Sequence, residues 1–151
     1  MYNHGKYENL TKEGVVMKDL KVTITLNELQ KQKFIEQYIR NELGEDGEIK
    51  DCEMGIYLKS YLLKYIEKID FKEKLKDIEK RIKARKNQKS LFYLRDLYTE
   101  EEWKQMQNYK LLLGRLFFHK CLDLEYSNKL GIKLPSEQDK DASGVQRYYK
   151  K

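Results

Sequence analysis

The sequence predicts a mostly helical α+β fold, with one strand near the N-terminus that has no obvious mate and a helix-plus-ribbon unit at the C-terminal end. Three observations predict it. Residues 20–26 alternate strictly between apolar and polar side chains, the period of a strand. Apolar residues then recur at helical spacing through most of 28–86. After Gly131 the pattern turns back to short extended runs broken by Pro135 and Gly144. The 151 residues are 40% hydrophobic, enough for a core, and 37% charged, so most helices are expected to be two-faced.

In chain order, residues 1–18 show no sustained period and carry Gly5 and Gly14, which reads as a flexible arm; Met17 is a possible alternative start. In Leu20-Lys21-Val22-Thr23-Ile24-Thr25-Leu26 the leucines, Val22 and Ile24 share one face, and Lys21, Thr23 and Thr25 the other. A lone strand leaves its backbone groups unsatisfied, so the same strand of a second copy is the expected partner. Asn27 is a good N-cap for a helix over 28–43 that presents Phe34, Ile35, Tyr38, Ile39 and Leu43, with Gly44 closing it. Asp51 is suited to cap a second helix over 51–69, its stripe running through Met54, Leu58, Tyr61, Leu62, Tyr65, Ile66 and Ile69. From 70 to 89 the apolar residues thin to Phe71, Leu75, Ile78 and Ile82, the narrow seam of a connecting or coiled-coil helix, and the run is strongly basic. The unit over 90–151 opens with an extended entry at 91–97 and a capping box of Thr99 and Glu102. A helix capped by Asn108 follows, carrying Leu111, Leu112, Leu116, Phe117, Cys121 and Leu124, and then a ribbon ending at Tyr149. Helices followed by such a ribbon suggest a winged-helix-like unit.

Composition removes several function classes. No apolar run approaches the roughly 20 residues that span a bilayer, and the N-terminus has no apolar stretch of signal-peptide type, so no membrane partner and a cytoplasmic home are expected. Cys52, Cys121, His4 and His119 form no cluster with ligand spacing, so no metal and no cofactor are expected, and the two thiols read as small core hydrophobes. There is no glycine-rich phosphate loop, no GxSxG and no HExxH, and Glu100-Glu101-Glu102 sits where a helix dipole favours acids; the chain reads as a non-enzyme. The net charge of +6 is uneven: residues 1–50 hold 8 basic and 9 acidic side chains, 51–100 hold 13 and 9, and 101–151 hold 10 and 7. That excess favours a polyanionic partner.

The VTITLNE stretch with the two helices after it resembles the ribbon-helix-helix family of CopG, MetJ and Arc type over about 50 residues. The resemblance implies an intertwined homodimer through the 20–26 strand and the helices 28–43 and 51–69, with the paired strands lying in a major groove. It implies that Lys21, Thr23 and Thr25 read base edges, and that Asp51, Cys52 and Glu53 grip a phosphate through the start of the second helix. The longer, acidic turn 44–50 and the carboxylate of Glu53 depart from the family pattern. Further along, Phe92-Tyr-Leu-Arg-Asp-Leu97, Trp103, Leu113-Gly-Arg-Leu-Phe117 and Ser143-Gly-Val-Gln-Arg-Tyr148 resemble domain-of-unknown-function family fourteen-thirteen, found on Gram-positive mobile elements. That resemblance implies a winged-helix-like fold, with single-stranded DNA binding reported for a member.

Two more sets of cations join the candidates. Lys80, Arg81, Lys83, Arg85, Lys86 and Lys89 form a basic run suited to phosphates, although such a run often only solvates a helix. Arg147, Tyr148, Tyr149, Lys150 and Lys151 combine cations with aromatic faces, the mixture that grips backbone and stacks bases. The expected function is therefore sequence-specific binding of double-stranded DNA, as a transcription repressor or accessory factor of a plasmid, phage or other mobile element. The alternatives are single-stranded DNA binding in replication or transfer of such an element, and a phage-encoded inhibitor that binds a host protein.

Overall fold

The computed structural model describes residues 9–10, 16–17, 19–85 and 90–151. The chain divides into two units, Met1–Lys31 and Gln32–Lys151, and is mostly helical with small antiparallel sheets, an α+β fold. In the first unit β1 (Asn9–Leu10) and β2 (Val16–Met17) pair antiparallel, Asn9 opposite Met17 and Leu10 opposite Val16. The rest of the arm expected over 1–18 lies outside the described residues.

Residues 20–26 require a correction, because no strand forms there. Leu20, Val22 and Ile24 are 86%, 67% and 52% exposed, and Lys21, Thr23 and Thr25 between them are exposed too. The alternation supplies two faces, but among the described residues no backbone offers these N–H and C=O groups a ladder. The ribbon-helix-helix arrangement accordingly finds no support within this chain. Asn27 does open α1 (Glu28–Phe34): its Oδ1 accepts the Gln30 N–H at 2.9 Å, while the Gln30 side chain accepts the Asn27 N–H at 3.0 Å.

In the second unit the helix continues as a wider π-type turn over Ile35–Arg40, which buries Ile35, Tyr38 and Ile39. Gly44, at φ +72°, adopts the left-handed conformation that ends it as expected. The following turn is shaped by Arg40, whose guanidinium donates to the carbonyls of Glu45 and Gly47, both at 3.1 Å. A short 3₁₀ turn (Asp51–Glu53) leads into α2 (Met54–Ile66). The stripe expected on α2 is only partly right. Met54 and Ile69 are buried, but Leu62, Tyr65 and Ile66 are exposed. Tyr57 and Ser60 take the inner positions instead, because both find partners there: the Tyr57 hydroxyl donates to the Glu45 carboxylate, and Ser60 Oγ donates to the Tyr57 carbonyl at 2.8 Å and meets the Tyr38 hydroxyl at 2.7 Å.

Asp70 caps α3 (Phe71–Ala84), accepting the Glu73 N–H at 3.2 Å. Phe71, Leu75, Ile78 and Ile82 are all buried, so the seam is as the spacing predicts. Its role is not. Expected as a connecting or coiled-coil helix, α3 gives its seam to one continuous core that runs from Ile35 to Tyr148, across the positions 69/70 and 89/90 expected as boundaries. Burying four such side chains contributes about 1.5–3 kcal/mol each, an upper figure that far exceeds what a solvated linker gains.

Beyond it β3 (Ser90–Phe92) pairs antiparallel with β4 (Tyr148–Lys150), Phe92 opposite Tyr148. Ile132 bridges to Lys150 on the other side of β4. Between them lie a 3₁₀ turn (Leu94–Leu97), α4 (Glu100–Gln105), α5 (Lys110–Cys121) and α6 (Leu124–Leu130). The Thr99–Glu102 capping box is present in both directions, at 3.2 and 2.8 Å. The helix cap expected at Asn108 falls at Tyr109. Leu111 and Leu124 are exposed rather than core, and Leu113 is buried in their place. The ribbon reduces to β4 and the Ile132 bridge. Cys121 is buried as expected; Cys52 is exposed. Among the described residues no helix is long and apolar enough to cross a membrane.

Candidate nucleic-acid interface

The outer face of α5 is unusual for a core-forming helix. Its inner face carries Leu112, Leu113, Leu116, Phe117 and Cys121, all buried. Its outer face carries Lys110, Leu111, Arg115 and Phe118, and Leu111 is 77% exposed. This face forms one wall of a groove of about 820 Å³. Tyr93, Leu94 and Arg95 line it from the segment after β3, and Trp103 from α4. Lys140, Val145 and Gln146 line the opposite side.

That opposite side is a loop held in one shape by Asp141. Its carboxylate accepts the N–H groups of Ser143 and Val145, both at 2.9 Å, and the Tyr93 hydroxyl at 2.8 Å. These donors hold the Asp141 carboxyl below the usual carboxylate range. Gln146 donates to the Ser136 carbonyl at 3.1 Å, and Arg147 Nε donates to the Asp139 carbonyl at 2.9 Å. Gly144, at φ +82°, supplies the left-handed residue the loop requires.

The groove therefore combines apolar walls with four cations. Arg95 and Arg115 have no ion-pair partner among the described residues, whereas Lys140 is paired with Glu137. Lys110 Nζ lies 5.5 Å from the Trp103 ring centroid and donates to the Gln107 side chain at 3.0 Å. Such a surface suits a polyanion with planar apolar groups: the cations meet phosphates, and the rings offer faces to bases.

Glu102, the residue before Trp103, is tied to α3, and the Tyr98 ring lies 6.0 Å from that of Trp103. Arg81 donates to both carboxylate oxygens of Glu102 at 2.9 and 3.1 Å, to Asp77 at 2.9 Å and to the Leu97 carbonyl at 2.9 Å, and stacks 4.3 Å from the Tyr98 ring centroid. The Arg81 fork and the Thr99 N–H hold the Glu102 carboxyl down at about 2.

The residues singled out from sequence fare differently. Lys21, Thr23 and Thr25 are exposed on a stretch that forms no ribbon. Asp51 and Cys52 are exposed at the start of the second helical segment, but Glu53 turns its carboxylate to the Lys50 N–H at 3.3 Å and to His119 at 3.7 Å. An anion already occupies the place that a phosphate would need. Of the basic run, Lys80 and Lys83 are exposed, Arg81 is engaged as above, Arg85 stacks 5.1 Å from the Phe92 ring centroid, and Lys86 and Lys89 lie outside the described residues. Of the C-terminal set, Tyr148 is core, packed against Phe92 and Phe117. Lys150 is buried, its ammonium donating to the carbonyls of Ile82 and Arg85 at 2.5 and 2.6 Å. Both are corrected from ligand contacts to packing: one fills the sheet–helix junction, the other adds a charged donor to carbonyls at the end of α3. Arg147 and Tyr149 are half-buried, and Lys151 is exposed beside Asn128 at 3.2 Å.

Sequence reasoning passed over Arg95, Lys110, Arg115 and Lys140 as site residues. The available signal was Leu111, an apolar residue whose neighbours Leu112 and Leu113 already fill the inner face. No curated protein and no solved structure is matched by the chain. Residues 76–150 match the model of the family described as Domain of unknown function (DUF1413), which agrees with the resemblance at the C-terminal unit and carries it back into α3.

Proposed function

We propose that the chain is a non-enzymatic nucleic-acid-binding protein that holds single-stranded DNA in the groove between α5 and the Asp141 loop. The observation that carries the reading is the groove itself: Arg95 and Arg115 without ion pairs among the described residues, Lys110 and the Glu137-paired Lys140 beside them, and Trp103, Tyr93 and Phe118 along the same walls. Backbone contacts alone would favour any polyanion, but the aromatic and apolar lining favours unpaired bases, which expose faces that a duplex keeps stacked. The order of elements supports a winged-helix-like reading of this half: α3, β3, α4, α5, α6, the Ile132 bridge, a loop and β4, with β4 between β3 and Ile132 and α6 as an addition to the pattern. In that reading α4 and α5 form the helix-turn-helix pair, and the loop at 137–147 is the wing. The biological setting we propose with it is replication or transfer of a mobile element.

Trp103 is the sole tryptophan of the chain, so its fluorescence reports on this groove. Titration with an oligothymidine strand is expected to quench it, more strongly than a duplex of equal length does, and to weaken steeply with salt. No quenching by either at low salt would refute the reading.

A second reading, a dimer that reads duplex DNA through Lys21, Thr23 and Thr25, is favoured by one observation: Leu20, Val22 and Ile24 form an exposed alternating apolar edge that a second copy would cover. Sedimentation at tens of micromolar decides it. A homodimer abolished by Val22→Pro supports the ribbon; a stable monomer ends it.

A further inference from the structure

A second concavity, of about 400 Å³, lies between the turn after Gly44 and the junction of α5 with α6. Glu45, Asp46, Glu48, Glu53, Asp123 and Glu125 line it, against two lysines, Lys120 and Lys129. The lining is thus acidic in a chain whose net charge is +6. Both lysines are engaged. Lys129 pairs with Glu125 at 3.2 Å; Lys120 lies 3.6 Å from Glu79, donates to the Leu43 carbonyl at 3.2 Å, and sits 4.9 Å from the Tyr126 ring centroid. Asp46 and Glu48, at the rim, have no ion pair among the described residues.

Glu45 is the independent sign that a ligand belongs here. It is 5% exposed and receives the Tyr57 hydroxyl on Oε2, yet no donor among the described residues reaches its Oε1. A buried carboxylate oxygen without a donor is rare in folded proteins. A donor that satisfies it must be small and gains most if it is cationic. A metal is a poor fit, since no three acidic, histidine or cysteine side chains among the described residues share ligand geometry. An ammonium on a short apolar chain fits better: three donors for the carboxylate, and Ile49, Leu122 and the Tyr126 ring for the chain.

We propose that this pocket binds a small organic cation bearing a primary ammonium, with Glu45 receiving the charge and Asp46 and Glu48 drawing it in. A free diamine and a lysine side chain of a peptide share this chemistry. The groups that face Glu45 are Tyr57 and Glu53 from the α2 side, Lys120 from α5 and Arg40 from the preceding helix. Burial lifts the Glu45 carboxyl to about 7, so the proton competes with the ammonium near neutrality, and binding tightens as pH rises.

The test is calorimetric titration of the full chain at pH 8 with 1,4-diaminobutane, with N-acetyl-lysine methylamide, and with 1,4-butanediol as the uncharged match. At least one amine is expected to bind and the diol not; which amine binds more tightly distinguishes free ligand from peptide. Affinity for that amine should fall about tenfold from pH 8 to pH 6. Glu45→Gln should weaken binding at least tenfold and remove most of that pH dependence. The rim pair Asp46→Asn with Glu48→Gln, both at exposed positions, should weaken it about threefold without altering the melting curve. Absence of heat from both amines at millimolar concentration, equal binding of the diol, or unchanged affinity in the Glu45 or the rim variant overturns the proposal.

Discussion

Residues 20–26 and helix α3 carry equally clear apolar periods, one of two and one of about three and a half, yet they end in opposite environments. Every apolar position of the α3 seam is buried, while Leu20, Val22 and Ile24 face solvent. The difference lies in the backbone. A helix satisfies its own N–H and C=O groups and then needs only something apolar to lie against. A strand needs a second backbone first, and none of the described residues supplies one to 20–26. A period thus specifies a face but not the partner that covers it.

The contrast can be broken by substitution. Leu116→Ala, at a fully buried position of α5, is expected to cost about 2–5 kcal/mol in denaturant unfolding. Glu45 gives the next largest effect, and it depends on pH. Its carboxyl titrates near 4.5 when unfolded and at about 7 in the fold, so its protonated form favours folding. That contribution is complete below 4.5 and is lost as pH rises through 7, up to a few kcal/mol. Unfolding measured from pH 4.5 to 8 should show this decline in the wild type and a flatter profile in Glu45→Gln.

Lys150→Ala comes third, at about 1–3 kcal/mol, because it removes the side-chain donor of the Arg85 carbonyl and leaves the Ile82 carbonyl with the Arg85 N–H alone. Lys151→Ala, one residue on, should leave the melting curve unchanged, which separates the packing lysine from the solvated one. The smallest effect is expected at Val22→Ala and Ile24→Ala, within about 0.5 kcal/mol of wild type in dilute solution. A loss of 2 kcal/mol or more at those two positions would mean that the stretch is covered after all, most simply by a second copy.

Much of the local structure was legible in the sequence because it is written over short spans. The Asn27 cap, the Gly44 stop, the α3 seam and the Thr99–Glu102 box each depend on residues within four positions of one another. The rotation of α2 was not legible: which face goes inward depended on Ser60 meeting Tyr38, 22 residues away. Nor was the role of Arg81 or of Lys150, since the first is fixed by Glu102 and the second by carbonyls at Ile82 and Arg85. The groove is the extreme case. Arg95, Lys110, Arg115 and Lys140 come from three segments brought together by the β3–β4 pairing, the shared core and the tie from Asp141 to Tyr93, and no short motif records that.

The proposed grip of these cations on a nucleic-acid backbone is measured by the salt dependence of oligothymidine binding, followed through Trp103, for the wild type and for Arg95→Gln with Arg115→Gln. Removing two phosphate contacts should flatten the slope of log affinity against log salt by about 1.4 on a single strand. It should leave the melting curve nearly unchanged, since neither side chain is buried. A wild-type slope near zero, or the same slope in both proteins, would contradict the assignment of this groove.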